Sequence, residues 1–254
     1  MNLNYREYGT GQPLIILHGL FGSSDNWQSL GKRLSPYFHV YLVDQRNHGR
    51  SGHSNDHTYE LMADDLDEFI LEKDLEDIIL LGHSMGGKTA MTYAQFDDTR
   101  LAKLVIVDIA PKGYPMHHNT ILEGLNAIDL GVDKTRAACD MRLAEYIPDV
   151  VIRQFLLKNL YWKKKNRLEW RFNLHVLKRD KENILAQLTD DLIEKPTLFI
   201  RGGLSNYIIE ADYEVINSQF TSATIRTIKG VGHWVHAEAP DRFYELIKDF
   251  IVER

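Results

Sequence analysis

Gly82-His83-Ser84-Met85-Gly86 joins an apolar run, Ile78-Ile79-Leu80-Leu81, to a helix-forming stretch, Gly87-Lys88-Thr89-Ala90-Met91-Thr92-Tyr93-Ala94. A serine with glycine two residues away on each side, strand before and helix after, fits a nucleophile elbow. The turn is so tight that the flanking positions must lack bulk and the serine must take a strained backbone conformation. Its hydroxyl is thereby raised above the sheet. The following helix places a positive dipole end and unpaired N–H groups beside it, which favours negative charge on a reacting oxygen.

A serine hydroxyl is a weak nucleophile near neutral pH, so it needs a base, and the base needs an anion to fix its tautomer and offset its charge. Gly230-Val231-Gly232-His233-Trp234-Val235-His236 follows a late strand, and its glycines let the loop swing the His233 imidazole back over the sheet. His233 is the expected base. His236 lacks flanking glycine and lies where the next helix approaches, so packing is its expected role. Glu238 and Pro240 read as helix-start chemistry.

The usual place for the acid is the loop after the strand Thr197–Arg201, but Gly202-Gly203-Leu204-Ser205-Asn206-Tyr207 holds no carboxylate. Asn206 could orient an imidazole without offsetting its charge. Asp108 closes the strand Leu104-Val105-Ile106-Val107, and catalytic groups of open parallel sheets gather at that edge. It is the expected acid, with Glu210 and Asp212 as alternatives at a helix start. Ser205 is then a candidate fourth member, donating to Asp108 or to the imidazole.

Acyl transfer also needs donors aimed at the developing oxyanion. One is the amide of Met85. The other is the amide of Leu20, or alternatively Phe21, in the loop His18-Gly19-Leu20-Phe21-Gly22. His18 reads as a hydrogen-bonded loop support. In Asp44-Gln45-Arg46-Asn47-His48-Gly49-Arg50-Ser51, the polar side chains of Asp44, Arg46 and Ser51 are expected to tie the loop together.

The elements that must position these groups alternate strand and helix. Leu14–Leu17, His39–Val43, Ile78–Leu81, Leu104–Val107, Thr197–Arg201 and Thr224–Ile228 read as strands, with a further strand-like alternation over Asn2–Tyr8. Helices are expected over Asp25–Leu34, through Tyr59, Met62, Leu66, Phe69 and Ile70, over Ala211–Gln219, and through Phe243, Leu246, Ile247, Phe250 and Ile251. This rhythm predicts an α/β fold, a mostly parallel doubly wound sheet of about seven strands. Between Pro111 and Pro196 no strand is expected, only helical segments at Ile121–Asp129, Lys134–Glu145, Val150–Leu160 and Leu168–Lys178. The expected organisation is a core domain of residues 1–110 and 196–254 with a helical cap of 111–195 inserted.

With 254 residues and 44% hydrophobic content, the chain can bury one sizeable core. Its net charge of −6 calls for no nucleic-acid partner. Met1 opens on a strand-like stretch with no basic leader, and no segment reaches membrane-spanning length, so a cytoplasmic protein without stable membrane insertion is expected. Cys139 is the single cysteine, which excludes an internal disulfide or a thiol-rich metal site. Neither clustered metal ligands nor a dinucleotide fingerprint occurs, and no cofactor is expected.

Taken together, His18–Gly22, Asp44–Ser51, Gly82–Lys88, Val107-Asp108-Ile109-Ala110-Pro111 and Gly232-His233 resemble the α/β-hydrolases, and more closely the YbfF-type esterases and their eukaryotic α/β-hydrolase-domain relatives. The resemblance runs over essentially the whole chain. It implies Ser84 as nucleophile, Asp108 as acid, His233 as base and Ser205 as an auxiliary hydroxyl. It also implies esterase activity on small-molecule esters, with acyl thioesters such as acyl-CoA among the candidate substrates, in a monomer or homodimer.

The candidate substrate contacts are Phe21, His83, Tyr114, Phe155, Trp162 and Trp234, with Leu156, Tyr161 and Trp170 as further apolar residues of the cap. Lys163-Lys164-Lys165-Asn166-Arg167 is a candidate contact for coenzyme A phosphates, set against its plainer reading as a solvated helix end. Two other readings keep the fold: a cofactor-free perhydrolase or carbon–carbon bond hydrolase, and a non-catalytic ligand-binding module.

Overall fold

A computed structural model describes all residues except 116–118, 166 and 253–254. Seven strands form the main sheet: β1 (Tyr5–Tyr8), β2 (Pro13–Leu17), β3 (His39–Val43), β4 (Ile78–His83), β5 (Leu101–Val107), β8 (Thr197–Gly202) and β9 (Ala223–Ile228). Their order is β1-β3-β2-β4-β5-β8-β9. Only β1 runs antiparallel, against β3; the other pairings are parallel, which requires a crossover between successive strands. The expected mostly parallel sheet of about seven strands is the one observed.

Strand alternation sends successive side chains to opposite faces and so divides the core in two. Leu14, Ile16, Ile79, Leu81, Val105 and Val107 face a cluster built with Leu34 of α1 (Gln28–Leu34) and Phe243 and Ile247 of α10 (Pro240–Val252). Ile15, Leu17, Leu80, Leu104 and Ile106 face the opposite cluster, with α2 (Tyr59–Glu72), α3 (Met85–Phe96) and α9 (Tyr213–Gln219). The second cluster continues into the segment between β5 and β8 through Leu125, Cys139, Leu143 and Leu156.

That segment carries α4 (Asn119–Ala127), α5 (Arg136–Ala144), α6 (Val150–Leu157), α7 (Leu174–Arg179) and α8 (Lys181–Leu185). It also contains an antiparallel hairpin of β6 (Leu160–Lys164) and β7 (Arg167–Trp170), which corrects the expectation of helices alone. The helix expected to reach Leu160 stops at Leu157. The one expected from Leu168 starts only at Leu174. The physical reason is cross-strand pairing: Leu160 and Leu168, each buried, pair with Trp170 and Trp162, while Lys163, Lys164 and Arg167 face water, which suits a short hairpin at the surface. Asn166, part of the basic run, lies outside the described residues.

Among the described residues, no helix is long and apolar enough to cross a membrane.

Candidate active site

Ser84 follows directly on β4 and caps α3 with φ 52° and ψ −118°. A left-handed φ on a non-glycine residue is strained, and the surroundings must hold it. They leave no slack: a Cβ on Gly82 would lie 2.2 Å from the Gly86 carbonyl oxygen, and one on Gly86 would lie 2.6 Å from the carbonyl oxygens of Leu17 and His18. The two glycines are therefore dictated by backbone meeting backbone. Met85 opens α3, so its amide belongs to the first turn, whose N–H groups have no acceptor within the helix.

Asp108 lies one residue past β5, fully buried, with φ 49°. Its carboxylate is surrounded by donors. Oδ1 accepts the Gly202 amide at 2.9 Å, and Oδ2 accepts His233 Nδ1 at 2.8 Å and the Ser205 hydroxyl. A buried carboxylate is tolerated only when its lone pairs are met in this way. Glu210 and Asp212, the alternative acids, sit in a short 3₁₀ turn before α9. Asp212 is committed there: it pairs with Lys112 at 2.6 Å and accepts the Ile209 amide at 2.8 Å.

His233 is presented by the loop after β9. Glu238 anchors that loop by accepting the amides of Gly232 at 2.7 Å and Trp234 at 3.1 Å. Tyr207 lies flat on the imidazole, with ring centroids 3.8 Å apart and planes 16° apart. On another side, the His83 ring is 4.7 Å away and its Nε2 bonds the His233 carbonyl at 3.0 Å. Because a carbonyl only accepts, Nε2 of His83 carries the proton. Burial, reinforced by the neighbouring His233 and His236, holds His83 well below the ordinary histidine range, so it serves as a neutral strut. His236 stacks on Trp27 at 4.0 Å, in keeping with the packing role expected of it.

The loop after β2 is set from two directions. Phe21 donates its amide to His48 Nε2 at 3.2 Å, while His48 Nδ1 bonds the Arg46 carbonyl at 2.9 Å. This commits the Phe21 amide elsewhere and leaves Leu20 as the loop's candidate oxyanion donor. From the other side, Asn159 Nδ2 donates to the Phe21 carbonyl at 2.7 Å, tying the loop to the segment above the sheet. His18 supports the same loop: its Nε2 accepts the Gln45 amide at 3.0 Å. Burial pushes both His18 and His48 down, and both are held neutral. The loop after β3 is laced together by Asp44, which accepts the amides of Ser24 and Arg50 at 2.6 and 2.9 Å, and by Arg46, which pairs with buried Asp65 at 2.6 Å.

Ser84 opens onto two cavities. The outer one is lined by Phe21, His83, Phe155, Leu156, His233 and Trp234, among others. The inner one is lined by Leu20, Met85, Ile109, Tyr114, Ile184 and Tyr207, among others. Five of the six expected substrate contacts thus surround the serine, and Trp162 does not: it is half exposed on β6, outside both linings. In the basic run, Lys163 and Arg167 both pair with Glu169. Among the described residues, no group of three His, Cys, Asp or Glu could hold a metal ion.

Sequence reasoning did not single out Tyr207, Asn159, His48 or Glu238 as parts of the site. The stacking of Tyr207 on His233 had one faint signal, an aromatic residue in the loop where an acid was sought. The Asn159 contact spans 138 residues and had none.

A mostly parallel sheet of this order with a tight strand–serine–helix turn on a central strand is the architecture of an α/β-hydrolase, and the chain belongs to the alpha/beta hydrolase fold family, whose profile matches residues 12–139. It is similar to Esterase YbfF of Escherichia coli, at 35% identity over 99% of both chains. It is also similar to the mouse sn-1-specific diacylglycerol lipase ABHD11, at 36% identity over 94% of this chain and 80% of that protein. Among solved structures, one described as a marine microorganism esterase matches with a TM-score of 0.95 and 43% identity, covering 98% of each chain.

Proposed function

We propose that Ser84, His233 and Asp108 act as nucleophile, base and acid of this carboxylic ester hydrolase. The observation that carries the reading is the 2.8 Å bond between His233 Nδ1 and the buried Asp108 carboxylate, made by an imidazole that lines the same cavity as Ser84. With Nδ1 committed to the carboxylate, Nε2 is the nitrogen available for the serine proton. The names of the relatives supply the class of bond.

Ser84 Oγ attacks the ester carbonyl as its proton passes to His233. Asp108 holds the tautomer and offsets the imidazolium charge, and the amides of Leu20 and Met85 receive the oxyanion. Collapse of the tetrahedral adduct returns the proton to the departing alcohol and leaves the acyl group on Ser84. Water then gives a proton to His233 as it attacks the acyl carbon, and collapse of this second adduct breaks the bond to Ser84 Oγ, which takes the proton back from His233 as the acid leaves. Ser205 donates to Asp108 throughout and positions its carboxylate. The same cycle accepts an acyl thioester, with a thiol as leaving group.

The test is a panel of p-nitrophenyl esters and acyl-CoA thioesters on wild type and Ser84→Ala, beside labelling with a fluorophosphonate. Wild type is expected to label at Ser84. Ser84→Ala is expected to lose the label and to drop turnover by at least about 10³-fold. Equal ester turnover in the two proteins would reject the reading.

A further inference from the structure

We infer that the preferred substrate joins a short, apolar acyl group to a bulky apolar alcohol, because Ser84 stands between a very small cavity and a larger one that shares its wall with a wide groove. The inference rests on the roles given above to Ser84 and His233.

The orientation follows from the tetrahedral adduct. Its carbon holds four groups: Ser84 Oγ, the oxyanion, the leaving oxygen and the acyl chain. The oxyanion turns toward the amides of Leu20 and Met85. The leaving oxygen must face His233, which protonates it. The alcohol therefore occupies the outer cavity, which His233 lines, and the acyl chain takes the remaining direction. That direction is the inner cavity, which Ser84 also lines and His233 does not, and which extends past Met85 to Ile109, Tyr114, Ile184 and Leu185.

The two directions differ in the room that lies beyond them. The inner cavity measures about 20 Å³, little more than the room a single water requires. The outer cavity measures about 50 Å³, and it shares Phe155, His233 and Trp234 with a groove of about 830 Å³. The groove is bordered by exposed Val150, Val151 and Leu204, which give an apolar alcohol contact between the polar groups of Asp149, Gln154 and Lys158.

The inner wall is also cross-linked, so its size does not depend on one side-chain rotamer. The Tyr59 hydroxyl donates to the Ile184 carbonyl at 2.7 Å, and the Tyr114 amide donates to the Leu185 carbonyl at 2.8 Å. The Tyr114 hydroxyl donates to the Tyr207 carbonyl at 2.7 Å and accepts the Ala110 amide at 2.8 Å. Behind the wall, Lys88 Nζ donates to the carbonyls of Lys112 and Ala186. Widening the cavity for a long chain means breaking buried hydrogen bonds, whereas the outer groove needs no such change.

The experiment measures kcat/KM for 1-naphthyl acetate, butyrate and octanoate and for methyl butyrate on wild type, Ile184→Ala, Leu185→Ala and Ile152→Ala, with melting temperatures recorded to confirm folding. Wild type is expected to prefer acetate over octanoate by about a hundredfold, and the naphthyl over the methyl ester of butyrate by at least about tenfold. Ile184→Ala should shrink the acetate-to-octanoate ratio at least about tenfold. Leu185→Ala is the second probe of the same wall if Ile184→Ala does not fold. Ile152→Ala, on the outer cavity, should leave the acyl ratio within about twofold while lowering the naphthyl-to-methyl preference. A wild-type preference for octanoate, or an acyl ratio that responds to Ile152→Ala and not to the inner-wall variants, overturns the inference while leaving the hydrolase reading intact. No turnover of any ester overturns the hydrolase reading and this one with it.

Discussion

Tyr207 covers one face of the His233 imidazole at 3.8 Å, nearly parallel, while the Asp108 carboxylate holds its edge at 2.8 Å. The ring is thus fixed in both tilt and rotation. Stacked pairs of this kind contribute about 0.5–1.5 kcal/mol beyond the area they bury. If that positioning is spent on the base, Tyr207→Ala lowers kcat about three- to tenfold and Tyr207→Phe restores most of it, as steady-state kinetics on a short-chain ester would show. Equal losses in both variants would place the effect in the hydroxyl instead of the stack.

Asp108 and Asp212 should separate cleanly. Asp108→Asn removes the charge beside His233 and is expected to lower kcat by about 10⁴-fold in folded protein. Asp212→Asn breaks the Lys112 pair and should cost about 1 kcal/mol of stability, read as a lower urea midpoint, with kcat within about twofold. The reverse pattern would move the acid to Asp212.

Lys88 gives a pH signature in stability. Burial pulls its amine from 10.5 down to about 7. Between those values the unfolded chain binds a proton that the folded chain has released, so stability rises with pH across this window. The burial cost is therefore fully present below pH 7 and fades toward pH 10.5. Relative to Lys88→Met, which cannot titrate, wild type should gain about 2 kcal/mol between pH 7 and pH 9 in paired denaturant titrations. A constant difference between the two would show that the amine does not lose its proton on folding.

Phe155 lines the outer cavity and Trp162 stands apart from it. Phe155→Ala is expected to raise KM for a naphthyl ester about three- to tenfold, through lost apolar contact with the alcohol. Trp162→Ala should leave both kcat and KM within about twofold. A large effect at Trp162 would bring the hairpin into the substrate path.

The sheet was legible because its central strands are continuous apolar runs ended by glycine or aspartate, the pattern of strands buried on both faces. Ser84 was legible because a backbone collision, Gly82 against Gly86, dictates composition directly. Asp108 could be picked out because it ends a strand while the loop Gly202–Tyr207 lacks a carboxylate. The β6–β7 hairpin was hidden: Leu160-Tyr161-Trp162-Lys163-Lys164 is too short and too charged for a two-residue period to stand out against helical spacing. Contacts such as Asn159 with Phe21, or Tyr207 with His233, join residues far apart in the chain and leave no local pattern to read.

Leu125, Cys139, Leu143 and Leu156 share one apolar cluster with Ile15, Leu80 and Ile106 of the sheet. The described helices between β5 and β8 therefore share the apolar core with the scaffold and do not merely hang over its mouth. Excising that layer would leave the apolar residues it shares with the core facing water, and grafting in the corresponding stretch from another hydrolase would require matching its underside to this surface before any change of specificity could be measured.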